Sequence, residues 1–97
     1  MSRWTIEFTR AGKKDFDAIR DVRLAKRIRA AIYALADDPR PPGSRKLEGR
    51  QDEWRVRVGT WRVVYRIDDG RLVVVVVRVA PRGEVYWSGV RKQLVTP

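Results

Sequence analysis

Cysteine and histidine are both absent from this 97-residue chain, and most of the familiar catalytic vocabulary goes with them. Without cysteine there is no disulfide framework, thiolate metal site or cysteine nucleophile. Without histidine there is no zinc site of the usual kind, no Ser–His triad and no histidine-pair ribonuclease site. Long apolar runs are also missing, since the valine-rich run 72–77 is too short to span a membrane. No basic segment followed by an apolar one opens the chain, as a secretory signal would, so the expected location is the cytoplasm. Negative charge is scarce. Lys and Arg number 22 against 12 Asp and Glu, a net charge of +10. In one small domain that imbalance implies a polyanionic partner, most often nucleic acid. Anionic lipid fits poorly, because the arginines fall on strand patterns rather than on an amphipathic helix. An acidic protein partner is compatible with the same charge.

What the chain does have is a stretch, Glu53 to Tyr86, in which arginines alternate with large apolar residues. Trp54-Arg-Val-Arg-Val and Trp61-Arg-Val-Val-Tyr-Arg-Ile show the period of two expected of half-buried antiparallel strands. Gly59-Thr60 between them suits a two-residue type II′ turn. That turn sets Val58 opposite Trp61 and Arg57 opposite Arg62. Trp54, Val56, Val58, Trp61, Val63, Tyr65 and Ile67 then share one face, while Arg55, Arg57, Arg62 and Arg66 share the other. Any one of these arginines reads equally well as part of a solvated surface. Several on one face, two of them directly opposed and no carboxylate among them, favour an anionic ligand, because like charges across a sheet repel.

Trp4, Ile6 and Phe8 alternate as a short first strand. Thr9 is placed to cap a helix over 10–20, with Lys13, Lys14, Asp15 and Asp17 facing water. Asp21 is placed to cap a second helix reaching Ala36, with Leu24, Ile28, Ile32 and Leu35 in one stripe. Asp38-Pro39 ends it, and Pro39 to Gly43 make a stiff ordered loop. Arg45 and Lys46 follow as exposed loop residues, with Leu47 as a core anchor. Asp69-Gly70 signals a type I′ turn, and Asp68 and Asp69 read as turn formers. The apolar run from Leu72 to Val79 predicts a strand covered on both faces, ended by Pro81. Residues 84–87 suggest a further short strand, and 88–97 a helix or a tail. The expected fold is α+β, one domain over 1–97, in the order β-α-α-β-β-β. Two N-terminal helices pack on one face of a small antiparallel sheet and leave the arginine face free.

Lys46-Leu-Glu-Gly49, the hairpin from Trp54 to Ile67, and Val79-Ala-Pro-Arg-Gly-Glu-Val-Tyr86 together resemble the RelE/ParE toxin superfamily across essentially the whole chain. The resemblance implies an endonuclease that cuts mRNA in the ribosomal A site and is held inactive by an acidic, RelB-like antitoxin. It needs no metal and no small-molecule cofactor. It implies Arg62, Arg82 and Tyr86 as catalytic residues and Arg55, Arg57, Arg45 and Lys46 as RNA contacts. Arginine replaces the lysine that RelE-like enzymes can use for proton transfer, and arginine is a poor base. Proton transfer then falls to Tyr86, or to RNA and water. Two other readings stay open: a ParE-like gyrase inhibitor on the same fold, and a basic RNA-binding module that stacks bases on Trp54, Trp61 or Trp87.

Overall fold

Thr9 starts the first helix by accepting the Gly12 amide on its hydroxyl oxygen at 2.9 Å, which satisfies a donor the helix itself cannot. In the computed structural model, which describes residues 3–49 and 52–81, this cap joins strand β1 (Thr5–Phe8) to helix α1 (Arg10–Asp17). Asp21 caps helix α2 (Val22–Ala34) by accepting the Arg23 and Leu24 amides at 3.0 and 3.2 Å. Helix α1 is shorter than its sequence suggests, with Ala18 as its C-cap. The suggested strand 84–87 and the terminal segment 88–97 lie outside the described residues.

Strands β2 (Arg45–Lys46), β3 (Glu53–Val58), β4 (Trp61–Asp68) and β5 (Val73–Pro81) complete a sheet of order β1-β5-β4-β3-β2. The layering is the expected one. Ile28, Ile32 and Leu35 of the α2 stripe are fully buried against Val58, Val63, Tyr65, Ile67, Val74, Val76 and Val79. Burial of those three side chains stabilises the fold by on the order of 5–8 kcal/mol. The sheet is mixed rather than wholly antiparallel, because β1 runs parallel to β5 from Thr5↔Val73 to Phe8↔Val76. A parallel pair needs a long crossover, and here everything between the two strands supplies it. Strand β5 therefore lies between β1 and β4, which accounts for its valine content.

Several local expectations change. The Arg45–Lys46 segment is not a loop but a short edge strand, pairing Arg45 with Arg55 and Lys46 with Trp54. The Asp69-Gly70 link is not a two-residue turn. Asp68 pairs with Val73, leaving four residues in the loop, and Leu72, not Gly70, takes the positive φ of 56°. Asp68 shapes this loop by accepting the Arg71 amide at 3.1 Å. The β4–β5 register also slips, from Val64↔Arg78 to Tyr65↔Val76, so Val77 is an extra residue in a β-bulge. Asp15 does not face water: its carboxylate accepts from Arg78 Nε and Nη2 at 2.8 and 3.2 Å and from the Val79 amide at 2.9 Å.

Tyr65 fastens the proline loop to the sheet. Its side chain is wholly buried, and its hydroxyl donates to the Pro39 carbonyl at 2.7 Å. Burial pushes the phenol up to about 12, against the opposing pull of Ser44 and of the Arg40 charge. The folded protein thus holds the phenolic proton more tightly than the unfolded chain, where the group titrates near 10. The stabilisation is complete below about pH 10 and is lost as pH rises toward 12. Tyr65→Phe is expected to cost about 1–3 kcal/mol at neutral pH, because the Pro39 carbonyl loses its donor. It should also flatten the alkaline end of the stability curve. Denaturant titrations at neutral and alkaline pH measure both, and an unchanged alkaline slope counts against this role.

Candidate nucleic-acid interface

The β3–β4 hairpin has the register its sequence predicts: Val58 opposite Trp61 and Arg57 opposite Arg62. Gly59 alone in the turn has a positive φ, of 63°, as a type II′ turn requires. The arginine face carries Arg55, Arg57, Arg62 and Arg66, but it is not free throughout. Leu47 packs with Val77 over Val64 and Ala80, held there by its amide donating to the Glu53 carbonyl at 2.8 Å. On the same face Arg55 and Arg62 are each only 7% exposed, whereas Arg57 is open to solvent. A guanidinium held this far out of water interacts more strongly with a nearby charge than an exposed one does.

Glu53 also lies on this face, so the face is not free of carboxylates. It is buried, and its Oε2 accepts from Arg66 Nε at 3.2 Å. Its parity with Arg55 and Arg57 was there to be read in the sequence. Arg66 is thus held in an ion pair on this face. Arg55 Nη1 donates to the Gly43 carbonyl at 3.2 Å. Together with Tyr65 and the Arg40–Asp69 ion pair at 3.1 Å, it ties the proline loop to the sheet.

The ladder therefore brings Arg45, Arg55, Arg57 and Arg62 onto one face. Lys46, paired with Trp54, belongs to the other. Ala80 is the β5 neighbour of Arg62. Arg82 follows it by two residues in the chain. Arg82 and Tyr86 themselves lie outside the described residues. Of the described tyrosines, Tyr65 points into the core and Tyr33 is exposed on α2, so neither serves the arginine face. Trp54 and Trp61 pack against the core, with Arg40 over the Trp54 ring at 5.3 Å.

Much of the exposed positive charge is on the helices. Arg10, Lys14, Arg23, Lys26, Arg27 and Arg29 are all exposed, and Arg29 lies 5.8 Å from the Phe16 ring centroid. Among the described residues there is no cluster of acidic side chains suited to a metal ion. No helix there is long and apolar enough to cross a membrane.

Residues 6–86 match the family described as the ParE toxin of type II toxin-antitoxin systems. The chain is 30% identical over 83 residues to Toxin RelG of Mycobacterium tuberculosis, covering 86% of this chain and 95% of that protein. It is similar to a chain of the RelBE2 toxin-antitoxin complex of the same organism, at 27% identity and a TM-score of 0.71, covering 81% of this chain and 98% of that one. A free double-arginine mutant of E. coli RelE shares the fold at 22% identity and a TM-score of 0.74, over 97% of this chain and 99% of that one.

Proposed function

The chain belongs to the ParE/RelE family of type II toxin-antitoxin toxins, and on that premise we propose that it is an mRNA endonuclease acting in the ribosomal A site. The observation that carries this reading is the row Arg57–Arg62–Ala80 across three neighbouring strands, with Arg82 next but one in the chain. An RNA 2′-hydroxyl attacks the adjacent phosphorus, and the bond to the departing 5′-oxygen breaks. The products are a cyclic phosphate and a free 5′-hydroxyl. Negative charge grows on the phosphoryl oxygens in the transition state, and Arg62 and Arg82 stabilise it. Arg57 and Arg45 contact flanking phosphates, and Arg55, already holding Gly43, contributes its charge from behind. Tyr86 orients the 2′-hydroxyl or moves its proton. The arginines are poor bases, so the ribosome is needed to hold the RNA in line.

A cognate acidic antitoxin is the partner that keeps the toxin inactive, its negative charge suited to the exposed arginines. It is expected in the same cytoplasmic compartment. A gyrase-inhibiting role is the second reading, favoured by the ParE description of the matching family. Inducing the chain, mapping mRNA 5′ ends and assaying gyrase supercoiling in parallel separates the two. Codon-phased cleavage with normal supercoiling is expected. Intact message with blocked supercoiling overturns the nuclease.

Affinity for RNA should fall steeply with salt as counterions are released. Arg57→Ala is expected to lower the log–log salt slope by about one contact, while Lys46→Ala on the other face leaves cleavage on the ribosome nearly unchanged. A slope indifferent to Arg57 puts the phosphate contacts elsewhere.

A further inference from the structure

Helix α2 carries four cations, Arg23, Lys26, Arg27 and Arg29, and no Asp or Glu between Val22 and Ala34. Among the described residues no carboxylate pairs with Arg23, Lys26 or Arg27, while carboxylates elsewhere hold Lys13, Arg40, Arg66 and Arg78. Like charges three or four apart on a helix repel. Arg23 also stands in the first turn, where the helix dipole favours negative charge. The helix gains no stability of its own from this arrangement. An anion laid along it would.

The four cations do not share one line. Arg29 leans toward α1, over the Phe16 ring. Arg23 and Arg27, four apart, lie together on another side, and Arg27 reaches the β3–β4 hairpin. A Cβ on Gly59 would stand 3.5, 3.6 and 3.9 Å from Arg27 Nη2, Nη1 and Cζ, so the guanidinium rests beside the bare backbone of the turn. The exposed Arg57 is two residues before that glycine, on the arginine face. Positive charge therefore runs from Arg57 round the end of the hairpin to Arg27 and on to Arg23. Gly59 and Thr60, which it crosses, are exposed and carry no large apolar group. The exposed apolar residues of α2, Val22 and Tyr33, are eleven apart and lie on a third line. A protein partner needs an apolar centre to its interface, whereas a phosphodiester backbone needs only the cations.

Resting on the reading that the arginine face takes RNA, we propose that the single strand lying across Arg57 continues over the Gly59-Thr60 turn onto α2. There Arg27 and then Arg23 contact its next phosphates, and Lys26 adds its charge alongside. Such contacts carry no sequence information. They lengthen the footprint and fix the side of the hairpin on which the flanking message leaves.

The test measures binding of the purified chain to labelled single-stranded oligoribonucleotides of about 5 and about 15 nucleotides over a range of salt. On the longer strand Arg27→Ala and Arg23→Ala should each lower the log–log salt slope by about 0.7, the value of one contact to a single strand. On the shorter strand, held on the arginine face alone, both variants should keep the wild-type slope. Arg27→Lys retains the charge and should keep both slopes, as should Arg29→Ala on the other side of the helix. Wild-type slopes on the longer strand in Arg27→Ala and Arg23→Ala overturn the proposal. An equal loss on both strands overturns it too, since that reflects only the general field of the protein. Loss of ribosome affinity with the longer strand's slope intact assigns this side of α2 to the ribosome instead, and also overturns it. A wild-type chain that binds RNA with these slopes but leaves mRNA intact on the ribosome removes the nuclease reading alone, which is a separate outcome.

Discussion

Arg62→Ala is expected to slow ribosome-dependent mRNA cleavage by roughly a hundredfold or more, well beyond the effect of Arg57→Ala. The difference follows from burial. Arg62 is 7% exposed and directly opposite the exposed Arg57, so its field reaches a bound phosphate with little water between them. Arg62→Lys retains the charge but not the planar fork, and should recover only part of the rate. Arg82→Ala should match Arg62→Ala. Tyr86→Phe, which removes one oxygen, should cost about a hundredfold where that hydroxyl moves a proton. Thermal melts of each variant separate lost chemistry from lost folding. Near wild-type cleavage by folded Arg62→Ala, Arg82→Ala and Tyr86→Phe would remove these residues from the site.

Gly12→Ala should lower stability sharply, although alanine is the better helix former by about 1 kcal/mol. The added carbon would stand 2.4 Å from the Val76 carbonyl oxygen and 3.1 and 3.2 Å from two further backbone carbons. Backbone of a central strand cannot move aside as a side-chain tip can. Relief requires α1 to lift, which breaks the Thr9 and Asp15 bonds to β5 together. A net loss of about 2–4 kcal/mol is expected. For a domain of this size that is a fall in Tm of about 10–25 °C. An equal or higher Tm in calorimetry would show that helix and strand are not locked at this point.

The hairpin was legible because alternation fixes which residues share a face, and Gly59-Thr60 leaves one register. The α2 stripe was legible for the same kind of reason, period and cap agreeing. The burial of Arg55 and Arg62 was not, because it depends on contacts distant in the chain, such as that of Arg55 with the Gly43 carbonyl. Asp15 reads as a solvated helix residue because its arginine partner lies 63 residues away. The bulge is invisible in a run of valines, which pack equally well on either side of a one-residue slip. The Asp69-Gly70 signal misled because Asp68 holds the Arg71 amide and passes the positive φ to Leu72, a residue with no preference for it.

The place of β5 also orders events in time. Its edge contacts with β1 and α1 join segments far apart in the chain, Thr9 and its acceptor Val77 being 68 residues apart. Strand β5 is the last of the described strands to be synthesised, yet it alone bridges β1 to the hairpin. Pairings across such distances form slowly and late. Until β5 emerges from the ribosome, the two halves of the sheet have nothing between them. An unfinished chain therefore has neither a closed core nor the β5 neighbour of Arg62. The row from Arg57 through Arg62 to Ala80 exists only once β5 has joined the sheet.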